Sequence, residues 1–255
     1  MKVVISGTSA ELGREAGRYA GTLIRNVISE KGEANIILAT GTSQFETINQ
    51  LIAEEGIEWS KVTMFHLDEY IGLPLSHPAS FRKYLKERFL AKVPQLKASY
   101  LINGENDLVT ETAHLGKIIS EHPIDVALVG VGENGHLAFN DPPADFDTEE
   151  PYLVVNLDEP CRKQQMGEGW FASLDEVPLQ AISMSVRQIM KSAHIICSVP
   201  DARKALAVKN SLENQVSNQF PASILQLHPS CTFFLDKNSA QFLPEQTLQN
   251  ENYSK

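Results

Sequence analysis

The stretch DVALVGVGENGHLAFNDPP at residues 125–143 constrains the fold more than any other part of the chain. Val126 to Val129 are an unbroken apolar run, the pattern of a strand covered on both faces. The run then breaks at Gly130, Gly132 and Gly135, and Pro142 and Pro143 keep a helix from starting where the glycines end. His136, Asn140 and Asp141 lie in between. A buried strand that runs into such a loop places it at the carboxyl end of a sheet, where α/β proteins bind ligands.

The rest of the chain supports such a sheet. Met1 to Ile5 read as a first strand, and Thr8 with Glu11 forms a capping box ahead of Leu12, Ala16, Leu23 and Val27 at helical spacing. Ile36 to Ala39 form a second buried strand. It enters Thr40-Gly41-Thr42-Ser43 and then a helix carrying Phe45, Ile48, Leu51 and Ile52. Val62 to Leu67 give a third strand that ends in Asp68-Glu69-Tyr70. Helices are expected over 78–89, 110–119, 202–212 and 223–227, and strands over 100–102, 181–184, 195–198 and 232–235. Residues 144–176 read as irregular and charged, a long excursion anchored by Trp170 and Phe171 that could act as a lid. The tail after Lys237 is polar and expected to be poorly ordered. The alternation predicts α/β architecture: one domain over 1–240, with a mostly parallel twisted sheet and helices on both faces, Rossmann-like, and a polar tail at 241–255.

Composition narrows the partners. The chain has 255 residues and a formal net charge of −10, which argues against nucleic acid and anionic membranes but leaves room for a local basic pocket. Cys161, Cys197 and Cys231 are odd in number and lack CxxC spacing, as expected of reduced thiols in the cytoplasm. The N-terminus turns polar after Ile5, so no secretory signal is expected, and no apolar run approaches membrane-spanning length.

Five groups could carry chemistry. Gly41, Thr42 and Ser43 between strand and helix could receive a phosphate through backbone N–H groups and hydroxyls, or could form an ordinary capped turn. Asp68 and Glu69 at a strand end could include a general base whose pKa is lifted by burial, or could be a helix cap. Residues 130–135 match GxGxxG, yet the motif lies mid-chain and leads into Asn140-Asp141-Pro142-Pro143, not a helix, so a dinucleotide site is disfavoured. His136, with Asn134, Asn140 and Asp141 nearby, could move protons near neutral pH. The other histidines show no metal-ligand spacing. Lys204 could neutralise a phosphate or could simply pair with Asp201 on the surface.

Taken together, ATGTSQ at 39–44, VTMFHLDEYIGLPLSHPASF at 62–81, GVGENGHLAFNDPP at 130–143, and ARKALAV at 202–208 followed by PASILQLHP at 221–229 resemble the glucosamine-6-phosphate deaminase (isomerase) family, which is related to the 6-phosphogluconolactonases. The resemblance covers nearly the whole chain; LDEYIGL and GHLAFND are specific to the deaminase side. It implies that a 2-amino-2-deoxyhexose 6-phosphate and water become a ketose 6-phosphate and ammonia, without metal or organic cofactor. It implies that His136 opens the sugar ring and that Asp68 carries a proton from C2 to C1. Gly41, Thr42, Ser43 and Lys204 correspond to phosphate-binding positions. The implied partner is a small sugar phosphate, and a homo-oligomer is compatible with the resemblance.

Three departures qualify it. Asn134 stands where the glucosamine enzymes typically have Asp, and Asp141 where they have Glu; galactosamine-6-phosphate relatives carry Asn at the first of these places. Residues 163–186 contain no arginine, although the family places a phosphate-binding arginine there, which leaves Arg162 or Arg187 as substitutes. Residues of the allosteric site found in some bacterial members are missing, so no such regulation is expected. The competing readings are a sugar-phosphate lactonase and a non-catalytic sugar-phosphate binder.

Overall fold

The computed structural model describes residues 1–244 and the backbone of Tyr253–Ser254. Ten elements build the main sheet and its first cover: β1 (Lys2–Ser6), α1 (Ser9–Lys31), β2 (Ala34–Leu38), α2 (Phe45–Ala53), β3 (Val62–His66), β5 (Ala98–Tyr100), α4 (Leu108–Ser120), β6 (Val126–Val129), β9 (His194–Val199) and β10 (Cys231–Asp236). Between β3 and β5 come β4 (Asp68–Tyr70) and α3 (Phe81–Leu85). Between β6 and β9 come β7 (Tyr152–Asn156), α5 (Glu159–Gly167), β8 (Gln180–Met184) and α6 (Val186–Met190), and α7 (Ala205–Glu213) follows β9.

The main sheet runs β11-β1-β10-β9-β6-β2-β3-β5, where β11 is Tyr253–Ser254. Every pairing in it is parallel except β11 on β1. Successive strand residues face opposite covers, as the pleat demands. Ile36, Leu38, Val126 and Leu128 join one buried cluster beneath α1, while Ile37, Ala127 and Val129 join the other. Burial on both faces is why β2 and β6 read as continuous apolar runs.

The strand order reverses direction between β2 and β6. Chain segments leaving the neighbouring strands β9, β6, β2 and β3 therefore converge at one edge, the usual ligand position of such sheets. The segment after β2 is held there by close packing of α1 on α2. A Cβ added at Gly13 would lie 2.2 Å from Glu46 Cβ, and one at Gly17 would lie 2.6 Å from Gln50 Cβ. The glycine spacing lets α2 sit directly against α1.

Five sequence expectations need correction. Asp68–Tyr70 is not the end of β3; it is a separate strand in a second, antiparallel sheet ordered β4-β8-β7. The expected strand over 181–184 joins that sheet and not the main one. Residues 144–176 contain β7 and α5, with a 3-10 turn at Leu174–Glu176, so they are not structureless. Asp158 caps α5 by accepting from Cys161 N at 2.6 Å. The helix expected over 78–89 divides into α3 and a π-helical turn, Lys86–Leu90. Of the tail, residues 238–244 pack back: Ser239 N donates to Asp236 Oδ1 at 2.7 Å, and Ala240 and Leu243 are buried. Residues 245–252 and 255 of the expected polar tail lie outside the described residues. Among the described residues no helix is long and apolar enough to cross a membrane.

Candidate active site

A single cavity at the convergent edge is lined by Gly41 and Ser43 from the loop after β2, Asp68 from β4, Gly130, Gly132 and His136 from the loop after β6, and Lys204 after β9. Phe81 and Phe139 form an apolar wall, and Gln164, Gln165 and Glu168 close the cavity from α5 and the residue after it. Four sequence-separated candidates thus meet in one place: Asp68, His136, Lys204 and the Gly41–Ser43 loop. Thr42 faces an adjoining recess with Ser43, Glu168 and Lys204.

Neighbouring carboxylates have different fates. Glu69 is fully buried and accepts from Ser80 Oγ at 2.9 Å, Phe81 N at 3.2 Å and Arg82 N at 2.8 Å. It therefore caps the start of α3 and meets Arg82 Nε at 3.4 Å. Asp68 turns the other way, into the cavity. Desolvation, with the adjacent Glu69 charge, pushes its pKa up to about 8. A carboxylate with that pKa is a far stronger base than a solvated one.

His136 is fixed from three sides. Its ring lies over Gly132, where an added Cβ would come within 2.3 Å of the imidazole, so only glycine leaves room for the ring. Its backbone N–H donates to Asn134 Oδ1 at 3.1 Å, and Nδ1 lies 2.9 Å from Asp141 Oδ1. Burial opposes ionisation of Asp141, but hydrogen bonds from His136 and Asn134 and the backbone N–H of Asp158 outweigh it and hold the pKa below the usual carboxylate range. An ionised Asp141 can only accept, which places a proton on His136 Nδ1, so that in the neutral imidazole Nε2 carries the lone pair.

Behind this pair lies a residue the sequence reading missed. Asn134 Nδ2 donates both to Asp141 Oδ1 at 2.9 Å and to Asp158, at 3.3 and 3.2 Å from its two oxygens. Asp158 N also donates to Asp141 Oδ2 at 2.9 Å. An aspartate at position 134 would set three carboxylates together, whereas the amide joins two of them. The cue in the sequence was the Asp158-Glu159-Pro160 helix start, but nothing local tied it to residues 134 and 141. Asn140, by contrast, is structural: its Nδ2 donates to Leu137 O at 2.7 Å and Met184 O at 2.8 Å, pinning the loop to β8.

Among the described residues, His136, Asp141 and Cys161 form one group with ligand atoms within 4.8 Å of one another. Burial and the charges of Asp141 and Asp158 push the Cys161 thiol pKa up, and metal ligation needs the thiolate. With Asp141 already engaged by His136 and Asn134, the donor set fits a neutral thiol beside a working carboxylate better than a metal centre. All three cysteines are buried free thiols.

At the other end of the cavity, Gln44 Nε2 donates to Ser198 O at 3.2 Å and Tyr84 OH to Gly41 O at 3.1 Å, anchoring the loop after β2. Lys204 is buried and not a surface lysine paired with Asp201; Asp201 instead binds Arg203 at 2.8 Å. Burial lowers the Lys204 pKa, and Glu168 opposes the shift. Neither proposed arginine substitute reaches this end. Arg162 donates to Leu174 O at 2.5 Å and Val177 O at 3.3 Å, and Arg187 pairs with Glu149 at 2.7 Å.

The profile of glucosamine-6-phosphate isomerases and 6-phosphogluconolactonases matches residues 7–233. A glucosamine-6-phosphate deaminase of Oenococcus oeni is 37% identical over 230 residues, covering 90% of this chain and 94% of that one. A glucosamine-6-phosphate deaminase of Lactobacillus delbrueckii subsp. bulgaricus is 34% identical over 246 residues, covering 95% of this chain and all of its own length. Among solved structures, a monomeric glucosamine-6-phosphate deaminase superposes with a TM-score of 0.84 at 33% identity, over 94% of this chain and 99% of its own. The 6-phosphogluconolactonase of Trypanosoma brucei superposes at 0.76 with 19% identity, which speaks to the fold alone. The motifs, the α/β fold and the profile agree, and the chain belongs to the glucosamine-6-phosphate isomerase/6-phosphogluconolactonase family.

Proposed function

We propose that the chain converts a 2-amino-2-deoxyhexose 6-phosphate and water into a ketose 6-phosphate and ammonia. The observation that carries this reading is the shared cavity: Asp68 with a raised pKa and His136 with a free Nε2 at one end, Ser43 and buried Lys204 at the other. His136 Nε2 takes the C1 hydroxyl proton and returns it to the ring oxygen, opening the sugar. Ionised Asp68 then removes the C2 proton, which the adjacent aldehyde has made acidic, and delivers it to C1 through an enolamine. Water attacks the resulting C2 imine and ammonia leaves. These are proton transfers and a hydrolysis, which need neither a metal nor an organic cofactor.

Residues 144–176 act in this reading as the cover that brings Gln164, Gln165 and Glu168 over the ligand. Three unoxidised thiols favour a cytoplasmic setting. Incubation with glucosamine 6-phosphate and with galactosamine 6-phosphate tests the reading: ammonia and ketose phosphate should appear in equal amounts from at least one. No ammonia from either, with acid released from 6-phosphogluconolactone, would select the lactonase. Thermal stabilisation by sugar phosphates without turnover would select a binder.

A further inference from the structure

The end of the cavity that would hold a phosphate already contains an anion. Glu168 is 8% exposed at its side chain, and its Oε1 lies 4.0 Å from Nζ of Lys204, itself 5% exposed. Three donors converge on the carboxylate: Gln164 Nε2 at 3.0 Å, Trp170 Nε1 at 3.3 Å and Thr42 Oγ1 at 3.4 Å. The cation count does not compensate. Among the described residues Lys204 is the one lysine or arginine lining the cavity, and Arg203 nearby is engaged by Asp201 at 2.8 Å and by Glu133 at 3.7 Å. A phosphate dianion arriving here meets a lysine whose charge is already matched, next to a carboxylate that repels it. Glycines flank Glu168 on both sides. It stands between Gly167, where an added Cβ would touch nothing within 4 Å, and Gly169, whose φ of +84° suits glycine.

We propose that Glu168 is a specificity-determining residue that occupies the phosphate end as an internal counter-ion, so that its carboxylate and the substrate's phosphate compete for Lys204 and the Thr42 hydroxyl. This inference rests on the sugar-phosphate reading of the cavity. It makes phosphate recognition conditional: the phosphorylated sugar binds only by displacing Glu168, and the empty site keeps its buried lysine neutralised.

Inorganic phosphate is the direct probe, titrated calorimetrically into the wild-type chain, Glu168→Gln, Glu168→Ala and Lys204→Met, each checked for folding by its melting transition. Both Glu168 variants are expected to bind phosphate roughly tenfold more tightly than wild type, and Lys204→Met to lose binding. The KM for glucosamine 6-phosphate should fall by a similar factor in Glu168→Gln, while that for unphosphorylated glucosamine should not follow it. Equal or weaker phosphate binding in both Glu168 variants would overturn the proposal, as would an equal KM change for both sugars or phosphate binding that survives Lys204→Met. If no chain releases ammonia, the deaminase reading fails, yet the phosphate titrations still decide the role of Glu168.

Discussion

The two ends of the cavity are built on opposite principles. At the acid/base end the groups around the His136 ring are interlinked: Asp141 accepts from His136 and Asn134, Asn134 also reaches Asp158, and the ring rests on Gly132. Such a network fixes a tautomer and a ring orientation before substrate arrives. The phosphate end holds a lysine and a carboxylate at 4.0 Å, an arrangement that must be rearranged by the ligand. In the proposed reaction the proton-transfer groups are set in advance, whereas affinity for the phosphate is left adjustable.

Substitutions can break that contrast, beginning with the acid/base end. Asp68→Asn should lower ammonia release by on the order of 10²–10⁴ fold, the range for loss of a positioned acid/base group, read as kcat in a coupled ammonia assay. His136→Ala belongs in the same range, and Asp141→Asn should come next, because an amide at 141 no longer demands a proton on Nδ1. A rise in KM with kcat unchanged for any of these would place the residue in binding instead. Lys204→Met should raise the KM for the 6-phosphate by roughly tenfold or more, as expected for one lost charge-assisted contact.

A stability experiment separates the adjacent carboxylates. Asp68 titrates near 3.8 when unfolded and at about 8 in the folded chain, so the native state binds the extra proton between those values. Stability is therefore lost as pH rises through that window. Asp68→Asn should melt above wild type at pH 8, with the gap shrinking toward pH 4. Glu69→Gln should melt lower at neutral pH, by about 1–3 kcal/mol, because it weakens the hydrogen bonds to α3 and the pairing with Arg82. Equal behaviour of the two variants would undo the distinction between them.

The sequence made the main sheet legible because its strands are doubly buried and thus unmistakably apolar, as Ile36 to Leu38 and Val126 to Val129 show. It placed Asp68, His136, Lys204 and the Gly41–Ser43 loop as candidates, since each follows a strand. What it could not show was pairing at long range. The three-residue strand at Asp68–Tyr70 is defined by Ala181–Ser183 across the sheet, more than a hundred residues away. Asp158 and Glu168 carry no local signature of a site; one reads as a helix cap, the other as a charged residue among glycines. Their roles arise only when α5 folds over the loop after β6.

If buried Asp68 is the base working beside a pre-set His136, the pH dependence of kcat/KM reports it most directly. Ammonia release from the preferred hexosamine 6-phosphate should rise with pH toward a plateau, with an apparent pKa near that of Asp68, about 8, and the residual rate of Asp68→Asn should lack that rise. A wild-type rate that is flat between pH 6 and pH 9, roughly two units below and one above that pKa, would contradict the account, as would Asp68→Asn retaining the full profile.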